Sequence, residues 1–142
     1  MVPSVRALQA NLLTVRERIA RACAKAGRRP ESVLLLAVSK TFPADAVRAA
    51  ADAGQRDFGE NYIPEGSDKI VELNDPARVR PPVWPLVWHF IGPVQSNKTR
   101  PIAQYFQWVH TIERDKIARR LSEQRDPGHP PLPICLQVNV SG

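Results

Sequence analysis

The sequence predicts an α/β fold of parallel βα units, and three observations carry that expectation. Residues 33–38 form a short apolar run without alternation, which reads as a strand buried on both faces and therefore as a central strand of a parallel sheet. Runs of this kind alternate with helical stretches along the chain, as right-handed βαβ units require. A (β/α)₈ barrel takes about 250 residues, or roughly 31 per unit, so the 142 residues present supply about four and a half units of an open barrel. A flavodoxin-like sheet of five strands fits the same length and is the rival architecture. Either way the chain reads as a single domain over residues 1–142, partial if the barrel is right.

Taken in order, residues 4–27 place Val5, Leu8, Leu12, Val15, Ile19 and Ala22 at steps of three and four, one buried helical stripe. Ser4 is its expected cap and Gly27 its expected stop. The first strand follows and runs into Lys40; Pro43, Asp45 and an alanine-rich stretch then make a helix that ends at Gly54. Residues 55–61 make a short second strand with a polar end. A helix over 63–73 admits Pro64 only in its first turn. Residues 74–85, with Pro76, Pro81, Pro82 and Pro85, form an irregular or polyproline-like loop. A third strand closes at Gly92-Pro93, a helix spans 97–106 with Pro101 near its start, and residues 107–112 make a fourth strand. A helix over 115–124 and a fifth strand over 134–140 complete the pattern.

Composition narrows the function. With 43% hydrophobic and 24% charged residues the chain has the balance of a globular protein. No apolar run approaches the ~18 residues of a membrane span, and the start lacks the apolar region of a signal peptide, so a cytoplasmic location is expected. Cys23 and Cys135 have neither metal-ligand spacing nor disulfide-scaffold density and read as small buried groups. The net charge of +6 comes from basic residues scattered among acidic ones, as on solvated helix faces, which argues against a nucleic-acid partner.

The one ionisable group at the carboxyl end of the first strand is Lys40, and that end is where parallel α/β folds do chemistry. A lysine that merely extends into solvent from a strand end is the bland alternative. Likewise Asn61 fits a turn or cap position, and His89 a satisfied core histidine.

Four blocks, Ala37-Val38-Ser39-Lys40-Thr41, Phe58-Gly59-Glu60-Asn61-Tyr62, Trp88-His89-Phe90-Ile91-Gly92-Pro93-Val94-Gln95-Ser96-Asn97-Lys98 and His110-Thr111-Ile112, resemble the pyridoxal phosphate homeostasis protein family. That family shares its TIM-type barrel, the PLP-binding barrel, with the N-terminal domain of alanine racemase. The resemblance runs in order from the first helix to the last residue. It implies that Lys40 forms the internal aldimine with pyridoxal 5′-phosphate (PLP), that Asn61 lies in the cofactor pocket and that His89 lies beside the ring. Residues 95–98 would line the pocket mouth. A lysine must lose its proton to attack an aldehyde, and desolvation at a half-buried strand end favours the neutral amine.

The resemblance further implies a carrier that holds and releases PLP, with no established turnover reaction. An amino-acid racemase would need a second acid/base group across the ring; a non-functional truncated family member is the third possibility. The family's phosphate ligands, a serine and a Gly-Thr pair, and its arginine at the pyridine nitrogen belong to later units than those in these 142 residues. No Gly-x-Gly pattern occurs among the seven glycines. Open sheet edges would also favour self-association.

Overall fold

A computed structural model describes residues 2–78, 82 and 84–142. Helix α1 (Val5–Lys25) precedes strand β1 (Ala37–Val38), and the chain then alternates through α2 (Ala44–Asp52), β2 (Asp57–Glu60), α3 (Glu65–Asn74) and β3 (Val87–Phe90). It continues with α4 (Thr99–Tyr105), β4 (Trp108–Ile112), α5 (Asp115–Gln124) and β5 (Ile134–Leu136). The strands form one sheet in the order β1-β2-β3-β4-β5, and every pairing is parallel. Strictly sequential order is that of consecutive barrel units; a doubly wound sheet would place its first strand inside. The flavodoxin-like alternative is thereby set aside.

The helix signals act where the sequence places them. The Ser4 side chain accepts from Ala7 N–H at 3.1 Å, and Gly27, at φ +65°, ends α1 with Arg28 N–H donating to Cys23 O at 2.9 Å. Helices α2–α5 cover one face of the sheet. Phe58, Trp88, Phe90, Val109 and Ile112 from the strands meet Val47, Ile70, Leu73, Ile102, Ile117 and Leu121 from the helices there. Strand side chains alternate in direction, so Asp57, Gly59, His89 and His110 fall on the opposite, inner face.

Four expectations are corrected. Strand β1 is an edge strand, not a central one: its residues pair with β2 alone, Leu34 and Val38 are 63% and 48% exposed, and residues 33–36 carry no strand. An apolar run states a preference for burial; the neighbour that would satisfy it lies elsewhere in sequence. For the same reason the α1 stripe is only half used, with Leu8 and Leu12 against the core and Val5 and Val15 exposed. Strand β5 ends at Leu136 instead of residue 140, since Val138 and Val140 find nothing to pack on; nor is Cys135 buried, being on this exposed strand. Of the proline-rich segment 74–85, residues 79–81 and 83 lie outside the described residues.

Candidate functional site

Alternation along β1 turns Ala37 and Ser39 toward the helices and Val38 and Lys40 toward the inner face. Lys40 is half-buried, and among the described residues its Nζ makes no hydrogen bond or ion pair. The backbone around it is tightly held. Thr41 has φ +66°, a left-handed conformation that costs a β-branched residue about 1–2 kcal/mol. Two side chains of α3 hold it there. Glu65 Oε1 accepts from Thr41 N–H at 2.5 Å, and Lys69 Nζ donates to Ser39 O at 2.9 Å, so the peptide groups on both sides of Lys40 are gripped.

The grip continues inward. Lys69 Nζ also donates to Glu60 Oε1 at 2.5 Å and approaches Glu65 Oε1 at 3.4 Å, and Ser39 Oγ donates to Glu60 Oε1 at 2.8 Å. Glu60 is fully buried and Lys69 nearly so. Three acceptors saturate the Lys69 ammonium. The difference between the two lysines is therefore chemical: Lys69 is locked as a paired cation, Lys40 is unpaired. Glu60, Glu65 and Lys69 are absent from the sequence-based site; the available signal was the four-residue spacing of Glu65 and Lys69 on one helix face.

Asn61 follows β2. Its Oδ1 is buried with no partner among the described residues, an orphaned acceptor that marks a polar position left for a ligand or solvent. The chain after β3 passes so close that a Cβ on Gly92 would lie 2.1 Å from Asn61 O. Only glycine fits. Asn61, Tyr62, Phe90, Gln95 and Lys98 line a cavity of about 310 Å³, which joins two parts of the expected site; Lys40 does not line it. Extending the sheet register (Val38 beside Gly59, Glu60 beside Phe90, Phe90 beside Val109) sets Lys40, Asn61, Ile91 and His110 in one row across the carboxyl ends.

His89, fully buried, is committed on both nitrogens. Its Nε2 lies 2.8 Å from Asp57 Oδ1 and its Nδ1 lies 2.8 Å from His110 Nε2. The Trp108 ring stacks on it at 5.9 Å and 7°. Burial, and then the neighbouring His89, lower the pKa of His110 below the ordinary imidazole value. A free Lys40 amine and an orphaned Asn61 amide in one row suit an aldehyde cofactor with polar ring substituents. Among the described residues no group of histidine, cysteine and acidic side chains suits a metal ion, and no helix is long and apolar enough to cross a membrane.

Residues 4–142 match the family described as alanine racemase, N-terminal domain. The chain is 61% identical over 132 residues to the pyridoxal phosphate homeostasis protein of Pseudomonas aeruginosa, covering 93% of this chain and 54% of that one. Against the protein of the same name from Escherichia coli K12 the identity is 52% over 131 residues, covering 92% and 54%. The chain thus spans about half the length of the curated relatives it matches. Among solved structures it resembles PipY of Synechococcus elongatus with PLP bound, at TM-score 0.59 and 40% identity over 75% of this chain and 47% of that one. The same protein without PLP gives TM-score 0.67 and 37% identity, over 87% and 54%.

Proposed function

From the premise that the chain belongs to the alanine racemase N-terminal domain family, we propose that it binds PLP covalently through Lys40 and serves to hold and release that cofactor. The observation that carries the reading is the unpaired, half-buried Lys40 amine at the carboxyl end of β1, in one row with the orphaned Asn61 amide. The names of the relatives and the PLP-bound PipY structure support it. When bound, PLP supplies an aldehyde that condenses with a neutral amine.

Each residue has a distinct task. Lys40 Nζ is the nucleophile. Ser39 and Thr41, gripped by Lys69 and Glu65, aim it. Asn61 offers its amide to the ring's polar substituents, and His89 stiffens the inner face beside the ring through Asp57 and His110. No turnover reaction is assigned. A cytoplasmic site of action belongs to the same proposal, in keeping with two free thiols, and cell fractionation that recovers the protein outside the cytoplasm would remove it. Self-association through the exposed edges β1 and β5 belongs to it as well, and a mass independent of concentration in sedimentation would contradict it.

The test is an absorbance titration with PLP. The wild-type chain should develop the long-wavelength band of a lysine-bound cofactor, and Lys40→Ala should lose it while keeping its circular dichroism. A band of equal strength in Lys40→Ala would sink the proposal.

A further inference from the structure

The net charge of the chain is concentrated at its start. The first 31 residues hold seven basic and two acidic side chains, against thirteen and twelve in the rest, so five of the six excess positive charges lie in α1 and the turn after it. Helix geometry gathers them further. Arg18, Arg21 and Lys25 follow at steps of three and four, so they share one face and span about 10 Å of helix axis. Leu8, Leu12 and Cys23 lie on the opposite, inward face. All three cations are exposed and make no hydrogen bond or ion pair among the described residues. Other helices commit their arginines: Arg48 to Asp52 at 3.1 Å, Arg119 to Asp115 at 2.7 Å and Arg120 to Ser96 O at 3.0 Å. The interleaving of charge that argues against a nucleic-acid partner along the sequence is thus undone on the folded surface of α1.

We propose that this face of α1 docks on the phosphate backbone of a nucleic-acid duplex, holding it by charge without reading its sequence. The remainder of the face decides among polyanions. Ala7 and Thr14 complete it, both exposed, while Val5, Leu13 and Val15, the large exposed apolar residues of the helix, fall outside it. A membrane-surface helix buries large apolar side chains beside its cations, and a protein partner needs apolar or aromatic anchors at the centre of the patch. This face has neither. It also lacks the aromatic side chains on which single-stranded bases stack, so a duplex is the better fit. A duplex carries one charge about every 1.7 Å of its axis, and each phosphate neutralised releases condensed counterions. Three unpaired cations over about 10 Å therefore suffice for weak, salt-sensitive binding. Nothing in this inference rests on Lys40 or on PLP.

The experiment is fluorescence anisotropy of an end-labelled DNA duplex of about 20 base pairs, titrated with the chain in salt from about 25 to about 200 mM. A plot of log K against log salt should have a slope of about −2.7, as three phosphate contacts require, and a duplex of scrambled sequence should bind equally. The triple variant Arg18→Gln, Arg21→Gln, Lys25→Gln should bind at least about tenfold more weakly at about 25 mM salt. A second triple variant, Arg114→Gln, Lys116→Gln, Arg119→Gln, removes the same charge at and beside α5 and should change binding by less than about twofold. Circular dichroism checks the fold of both, and should the α1 variant fail to fold, the wild-type slope decides. No anisotropy change at about 0.5 mM chain and about 25 mM salt would overturn the proposal. So would a slope near zero, equal losses in the two variants, or binding to vesicles of phosphatidylcholine and phosphatidylglycerol with none to the duplex. A chain that binds the duplex yet gives no PLP band would contradict the proposed function and leave this inference standing.

Discussion

Lys40 and Lys69 contribute to the same turn from opposite surroundings. Lys69, on α3 below the carboxyl ends of β1 and β2, is buried and saturated by Ser39 O, Glu60 Oε1 and Glu65 Oε1. Lys40, at the end of an edge strand, has no hydrogen-bond or ion-pair partner among the described residues. The middle of the molecule therefore spends a lysine on holding geometry, while the edge keeps one free for chemistry. A reactive group need not sit in the best-packed part of a fold if that part reaches out and grips its backbone.

The sharpest break in the comparison is expected in the middle. Gly92→Ala would push a methyl group into Asn61 O, 2.1 Å from the ideal Cβ position, with backbone on both sides and no side chain to yield. The expected loss exceeds about 4 kcal/mol, read as a collapsed urea midpoint. Lys69→Met comes next. It leaves the fully buried Glu60 carboxylate without its cation, which costs about 3–5 kcal/mol, read in the same way. The same substitution at Lys40 should change stability by less than about 0.5 kcal/mol while abolishing the PLP band. If the two methionine variants lose equal stability, the contrast between the lysines fails.

His110 adds a smaller effect with a definite sign. Its folded-state pKa lies below the unfolded value because burial and then His89 disfavour its charge. The unfolded chain therefore binds more protons in the window below about pH 6.5, so this contribution to stability is present above that value and is lost as pH falls toward the folded pKa. The urea midpoint of the wild type should drop between about pH 7.5 and about pH 5.5 more than that of His110→Gln. Equal drops would remove His110 from the account. The smallest effect belongs to the edge. Leu136 is 73% exposed on β5, and Leu136→Ser should alter stability by under about 0.5 kcal/mol while reducing concentration-dependent association.

Much of this was legible in the sequence because it is local. The Ser4 cap and the Gly27 stop of α1 depend on nearest neighbours along the chain. The alternation of strands and helices carried the class, and the run ending at Lys40 carried the candidate nucleophile. Distances across the fold were not legible. Nothing in residues 33–38 says that β1 lies at an edge, since its missing neighbour is not encoded in it. The grip on Lys40 needs Glu60 and Lys69 to face each other between β2 and α3. The line Asp57, His89, His110 needs the register of three strands. His89 was visible as a site residue, and His110 stood within a matching block, but the bonds that join them were not.

The most direct test of the central claim uses both lysines at once. The wild-type chain is treated with PLP, reduced with borohydride, digested and mapped by mass spectrometry. The pyridoxyl label should sit on Lys40, with Lys69 unlabelled despite lying on the same polar cluster. Label on Lys69, or spread evenly over Lys69, Lys98 and Lys116, would contradict the assignment of Lys40 as the free amine and Lys69 as its clamp.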